Sequence, residues 1–139
     1  MDFDPQGFLA QYADAYNARD PETLRSFFML DDPRFGVFED YAGVLFDGET
    51  YGVILESTFD ATAEMSFELL RCDRFDGFAV VHAIQKMAER DEEEGIAEIL
   101  VRATMWVSIT GDAPRIVTAH FSLLPPSESG CCLPDGCQG

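Results

Sequence analysis

Glu39 and Asp40 stand side by side in the run Arg34-Phe35-Gly36-Val37-Phe38-Glu39-Asp40-Tyr41-Ala42-Gly43-Val44-Leu45-Phe46, which is otherwise aromatic and aliphatic. Apolar surroundings disfavour an ionised carboxylate, so an acid placed there is either turned to water or kept for proton transfer. A partly desolvated aspartate at the mouth of an apolar cavity is a stronger base than a solvated one. A tyrosine hydroxyl facing the same cavity can donate to a developing enolate oxygen. Abstraction of a proton beside a carbonyl needs little beyond those two groups. Asp40 is a candidate for such a base, and Tyr12 and Tyr16, one helical turn apart on one apolar face, are candidates for such a donor. The structural alternatives are plain: a loop aspartate bonded to nearby backbone, and two core tyrosines with satisfied hydroxyls. Strand alternation sends Glu39 to the side opposite Asp40, where it is expected to face solvent.

Further candidates lie downstream. Phe38, Phe59, His82, Thr104 and Trp106 are candidates for lining a pocket together with Tyr16. His82 shares strand parity with Phe78, Val80 and Ile84, and a histidine there is either a satisfied core residue or a pocket group. The segment 96–109 has a mixed face (Glu98, Leu100, Arg102, Thr104, Trp106, Ser108) and an apolar face (Ala97, Ile99, Val101, Ala103, Met105, Val107, Ile109). The mixed face is either the pocket, or a dimer surface where Trp and Arg are favoured. His120 alternates with Val117, Ala119, Phe121 and Leu123 and is expected on the convex face of the sheet. Cys131, Cys132 and Cys137 crowd the end of the chain. Three thiolates could bind a soft metal or exchange disulfides, but paired CxxC spacing and a fourth ligand are lacking, so no metal or cofactor is expected.

The elements that must position these groups follow from pattern. Asp4-Pro5 and Asp20-Pro21 each read as an N-cap followed by a first-turn proline. Phe8, Tyr12, Ala15 and Tyr16 give the first helix its apolar face, and Leu24, Phe27 and Phe28 the second. A third helix is expected over residues 49–60, with Tyr51, Ile54, Leu55 and Phe59 on one side. Short strands are expected at 34–38 and 44–46. Met65, Phe67 and Leu69 begin a meander whose later strands run 78–87, 96–109 and 115–124, joined by a turn at 73–77, an acidic tip at 91–95 and a turn at 110–114. Short turns imply antiparallel neighbours. The class is α+β, with three N-terminal helices packed in the concave face of a curved, mostly antiparallel sheet. Residues 1–125 form one domain and residues 126–139 a linker-like, cysteine-containing tail.

Composition limits the partners. The 139 residues carry 26 acids against 9 bases, a formal net charge of −17, with Lys86 as the one lysine. Such a surface repels phosphate backbones and anionic membranes, which argues against nucleic acid and membrane partners. No apolar run approaches the roughly 18 residues of a span, and the start MDFDPQG lacks signal-peptide features, so a cytoplasmic protein is expected. Glycine-rich phosphate loops and nucleophile elbows are absent from the sequence.

With its order of helix, helix, strand, acid pair, helix and four strands, the chain resembles the nuclear transport factor 2-like superfamily, which includes the SnoaL-like cyclases and ketosteroid isomerases. The resemblance rests on Tyr12-Ala13-Asp14-Ala15-Tyr16-Asn17-Ala18-Arg19-Asp20, on Leu24 and Phe28, and on Val37-Phe38-Glu39-Asp40, and spans about residues 6–124. It implies a cone-shaped, cystatin-like α+β barrel, a small apolar ligand, and a homodimer through the convex sheet face. It also implies a cofactor-independent isomerase, cyclase or lyase, if the protein is an enzyme, with Asp40 as base and Tyr12 polarising a carbonyl. The isomerases' further acid would fall near Thr104, where Arg102-Ala103-Thr104-Met105-Trp106 offers no carboxylate. The remaining reading is a ligand-binding or dimerisation module without catalysis.

Overall fold

Three aspartates start the three helices found among the described residues. In the computed structural model, which describes residues 3–39, 43–57, 59, 62–91 and 95–124, Asp4 accepts a hydrogen bond from the Gly7 amide at 3.1 Å and opens α1 (Pro5–Asn17). Asp20 accepts from Thr23 N–H at 3.2 Å and opens α2 (Pro21–Arg25), and Asp47 accepts from Thr50 N–H at 2.9 Å and opens α3 (Gly48–Ile54). Each side-chain oxygen satisfies an amide that has no partner within its helix. The third helix is shorter than the expected 49–60. Beyond Ile54 the Ser57 N–H and hydroxyl both turn back to the Ile54 carbonyl, which tightens the chain and ends the α-helix.

The sheet has six strands: β1 (Gly36–Phe38), β2 (Leu45–Phe46), β3 (Thr62–Phe75), β4 (Phe78–Asp91), β5 (Gly95–Ser108) and β6 (Arg115–Leu123). Their order is β2-β1-β6-β5-β4-β3, and every pair is antiparallel except β1 beside β6. The expected turn at 73–77 shrinks to two residues. Asp73, Arg74 and Phe75 continue β3, and Gly77 at φ 89 takes the left-handed geometry that closes the hairpin. Register shifts at Thr62/Glu64 and Leu69/Arg71, and another opposite Trp106/Val107, put one extra residue on one strand of the pair. Such bulges bend a strand and raise its twist, which lets 14-residue strands curve over the helices.

The concave face buries Met65, Val81, Ala83, Ala103, Met105, Val107 and Ala119 beneath α1 and α2. One end of the cone is packed with rings. Phe8 meets Phe3 and Phe27 edge-on with centroids 5.6 and 5.5 Å apart, and Phe28 meets Phe35 and Tyr51 at 6.1 and 5.4 Å. The segment after α2 is tied there by backbone: Ile116 N–H donates to Phe27 at 2.7 Å, and Met29 N–H to Ile116 at 2.8 Å.

A polar clamp fastens the other end of α1. Asn17 Nδ2 donates to the Met65 carbonyl at 2.9 Å, and its Oδ1 accepts from Met65 N–H at 2.8 Å, at the bulge that begins β3. Arg19 follows the helix at φ 58, a position usually given to glycine. Its guanidinium donates to the carbonyls of Thr62 and Tyr16 and lies over the Phe59 ring. Among the described residues no helix is long and apolar enough to cross a membrane. Residues 125–139, with Cys131, Cys132 and Cys137, lie outside the described residues.

Gly48 gives the fold a sharp test. A Cβ at that position would sit 1.8 Å from the Leu30 carbonyl oxygen, whereas one at Gly52 would meet only the flexible Leu30 Cδ1 at 3.3 Å. Gly48→Ala is expected to lower the unfolding free energy by about 2 kcal/mol or more, with Gly52→Ala within about 1 kcal/mol of the parent. Equal urea midpoints for the two variants would contradict this packing of α3.

Candidate functional site

Beside the phenylalanine cluster, bordered by Tyr12 and Tyr51 that pack against it, the interior is hollow. A cavity of about 160 Å³ is lined by Tyr12 and Tyr16 from α1, Glu39 beyond β1, and Tyr51, Ile54, Leu55 and Ser57 from α3 and its following turn. The sheet contributes Gln85, Met87 and Glu89 from β4, Ile99 and Val101 from β5, and Phe121 and Leu123 from β6. The walls are mainly apolar with a few convergent polar groups, the usual make-up of a small-molecule site.

Each tyrosine is held by a different device. Tyr12 is wedged between Phe27, Phe28 and Phe67, at centroid distances of 5.7, 5.7 and 5.4 Å. Tyr16 donates to Thr62 Oγ1 at 3.2 Å and meets Phe59 edge-on at 5.0 Å. Tyr51 donates its hydroxyl to Glu39 Oε2 at 3.2 Å. Burial drives the Tyr12 phenol far above its ordinary value of 10.0, and the charge of Glu39 adds to the shift. Burial likewise holds Tyr51 well above that value, with Tyr12 and Glu39 contributing. Both hydroxyls therefore remain protonated donors at neutral pH.

The position of Glu39 corrects the expectation that it faces solvent. Val37 is fully buried and Phe38 is 44% exposed, so alternation along β1 returns Glu39 to the inner side. Asp40, the expected base, lies outside the described residues. Tyr12 and Tyr16 do meet in one cavity, and Phe59 supports Tyr16 from the side.

Phe38, His82, Thr104 and Trp106 are not brought to that cavity. They stand on the opposite, convex face of the sheet, since the buried face of β4 is Ala79, Val81, Ala83 and Gln85, and that of β5 is Val101, Ala103, Met105 and Val107. The pocket wall of β5 is thus its apolar face. Phe38, His120, Thr104 and His82 form a single cross-strand row over β1, β6, β5 and β4, and Trp106 lies one row along, between Thr118 and Val80. The Thr104 hydroxyl and His82 Nδ1 are 3.5 Å apart, and the rings of Phe38 and His120 are 5.7 Å apart. His120 is exposed there, on the face where its alternation placed it. Val117, opposite the register shift, departs from that alternation, and Ile116 is buried in its stead.

Glu39, Tyr51, Ser57, Gln85 and Glu89 are polar cavity residues absent from the expected set. Glu39 shares the parity of Val37, and Gln85 that of Val81 and Ala83, but β4 is apolar on both faces, which hides the choice. Tyr51 shows only as part of a helical apolar face. Among the described residues no group of three or more His, Cys, Asp or Glu side chains is placed to hold a metal ion. Cys72 is half-buried, and desolvation pushes its thiol up, away from the reactive thiolate.

Solved structures share this architecture. The chain is similar to an NTF2-like superfamily protein from Salmonella enterica (TM-score 0.69, 13% identity, 92% of this chain and 94% of that one). It is similar to an NTF2-like protein of unknown function from Pseudomonas putida (TM-score 0.66, 19% identity, 91% and 89%). An uncharacterised protein with a cystatin-like fold from Caulobacter vibrioides also matches (TM-score 0.61, 16% identity, 89% of each chain). No family model and no curated protein sequence matches the chain. At these identities the likeness shows the fold, and that fold is NTF2-like.

The buried phenols set an alkaline test. Because Tyr12 and Tyr51 have folded values above 10.0, the folded chain holds protons that the unfolded chain releases. Their contribution to stability is complete below pH 10 and declines as the pH rises beyond it. Phenolate absorbance is expected to show that at least Tyr12 and Tyr51 stay protonated past pH 10 until the fold is lost. Ionisation of all the tyrosines near pH 10 in a folded chain would contradict the burial.

Proposed function

We propose that this chain binds a small, largely apolar carbonyl compound in the cavity and that an acid at the end of β1 moves a proton beside the carbonyl. The observation that carries the reading is the meeting of a half-buried carboxylate with buried tyrosines in one hollow, Tyr51 being 3.2 Å from Glu39. In this reading Glu39 takes the proton, Tyr12 donates to the oxygen on which charge develops, and Ile99, Val101 and Phe121 exclude water. Donors that are already oriented stabilise such charge without reorganising when it forms. Asp40 stays the rival base, because it adjoins Glu39 in the same acid pair.

The convex face supports a second role. Phe38, Phe75 and Trp106 are 44%, 52% and 36% exposed on a sheet face that also carries Phe78, Val80 and Ile84. We propose that this face pairs two copies of the chain. An apolar patch with Trp at its centre suits such an interface.

Exchange of α-hydrogens for deuterium in a panel of small ketones, followed by proton NMR, tests the catalytic reading. Glu39→Gln is expected to slow exchange by about 10²-fold or more, with an unchanged circular dichroism spectrum, while Asp40→Asn keeps most of it. Loss confined to Asp40→Asn would transfer the base to that residue, and full exchange in both variants would reject an acid base. For the second role, sedimentation equilibrium is expected to show a dimer that Trp106→Glu turns into monomer; a monomeric parent chain would dismiss it.

A further inference from the structure

We propose that the cavity selects a small organic cation, an ammonium head carried on an apolar body, over neutral and anionic compounds of the same shape. The inference rests on the pocket reading given above and names its ligand class. Every ionisable side chain among the described lining residues is an acid or a phenol: Glu39 inside, Glu89 on the strand leading to the hairpin tip, and three tyrosines. Lys, Arg and His are absent from the described lining. Gln85 adds one neutral amide, buried to 8% exposure.

Three physical terms point the same way. A carboxylate in a partly water-excluded site attracts a positive charge more strongly than it would in water, and repels an anion by the same measure. Tyr12, Tyr16, Tyr51 and Phe121 supply aromatic walls whose quadrupoles favour an adjacent ammonium. The chain's net charge of −17 raises the local concentration of cations and lowers that of carboxylates and phosphates. A positive charge beside the reacting carbon also stabilises the negative charge that develops when Glu39 removes its proton. The volume of about 160 Å³ suits a body the size of a benzene ring with a short head group.

Titration calorimetry of the full chain at neutral pH with benzylammonium, benzyl alcohol and benzoate reads this selectivity, because the three probes share one shape and differ in charge. Benzylammonium is expected to bind about tenfold or more tighter than benzyl alcohol, with benzoate weakest. Glu39→Gln should erase the preference, and Glu89→Gln, at a half-exposed strand position that tolerates change, should reduce it. Glu68→Gln, on the convex face beside Lys86, should leave it intact and thereby separate the cavity from general adsorption to an acidic surface. Benzyl alcohol binding as tightly as benzylammonium would overturn the cation class while leaving the pocket standing. Preference that persists in both Glu39→Gln and Glu89→Gln would overturn it also. Failure of all three probes to bind at millimolar concentration would overturn the pocket reading together with this one.

Discussion

The junction between the C-terminal end of α1 and the first residues of β3 sets where the sheet begins to curl, and with it the shape of the interior. Asn17 acts there as a substitute strand, giving Met65 both a donor and an acceptor at a point where the β3–β4 register slips. Arg19 accepts a left-handed backbone to reach the Thr62 carbonyl, and Tyr16 bonds the Thr62 hydroxyl. Holding a non-glycine residue at positive φ costs on the order of 1 kcal/mol, and the bonds made by the guanidinium offset it. A helix fixed this firmly presents Tyr12 and Tyr16 to the interior at one set orientation.

From that constraint follows the division of the interior into a solid part and a hollow one. Phenylalanines fill the end near α2 by edge-to-face packing, and the rings of Tyr12 and Tyr51 join them. Tyrosines mark the border with the hollow, where each hydroxyl must find a partner or face the cavity. Glu39 is admitted to the same region because Tyr51 donates to it. Carboxylate and phenols thus adjust to one another: burial keeps the phenols protonated, the charge of Glu39 adds to that, and a phenol solvates the acid. Such mutual adjustment is what proton transfer in an apolar site requires.

Much of this was legible in the sequence, and the reasons differ by element. The Asp-Pro starts of α1 and α2 and the helical spacing of Tyr12 and Tyr16 are local signals, and local chemistry decides those elements. The long β4 and β5 strands are evident from pattern, yet Phe78-Ala79-Val80-Val81 is apolar at every position, so alternation could not say which side faces the helices. That ambiguity moved His82, Thr104 and Trp106 from an expected pocket to the convex face. On β1 the decisive residue is Val37: its full burial fixes Glu39 inside, but three strand residues beside a parallel neighbour give too short a pattern to show it. Bulges such as the one opposite Val107 arise from long-range pairing and have no short-range signature.

Filling the hollow from within is the most direct measurement. Val101 is 8% exposed and stands on the cavity wall opposite the tyrosines. In a solid core, Val101→Phe would add volume with nowhere to go and cost about 1–3 kcal/mol. With a real cavity at that site, the added ring occupies empty space, and urea unfolding should show stability equal to or above the parent. A loss of 1 kcal/mol or more in the variant, on the order expected for an overfilled interior, would contradict the hollow on which the pocket depends.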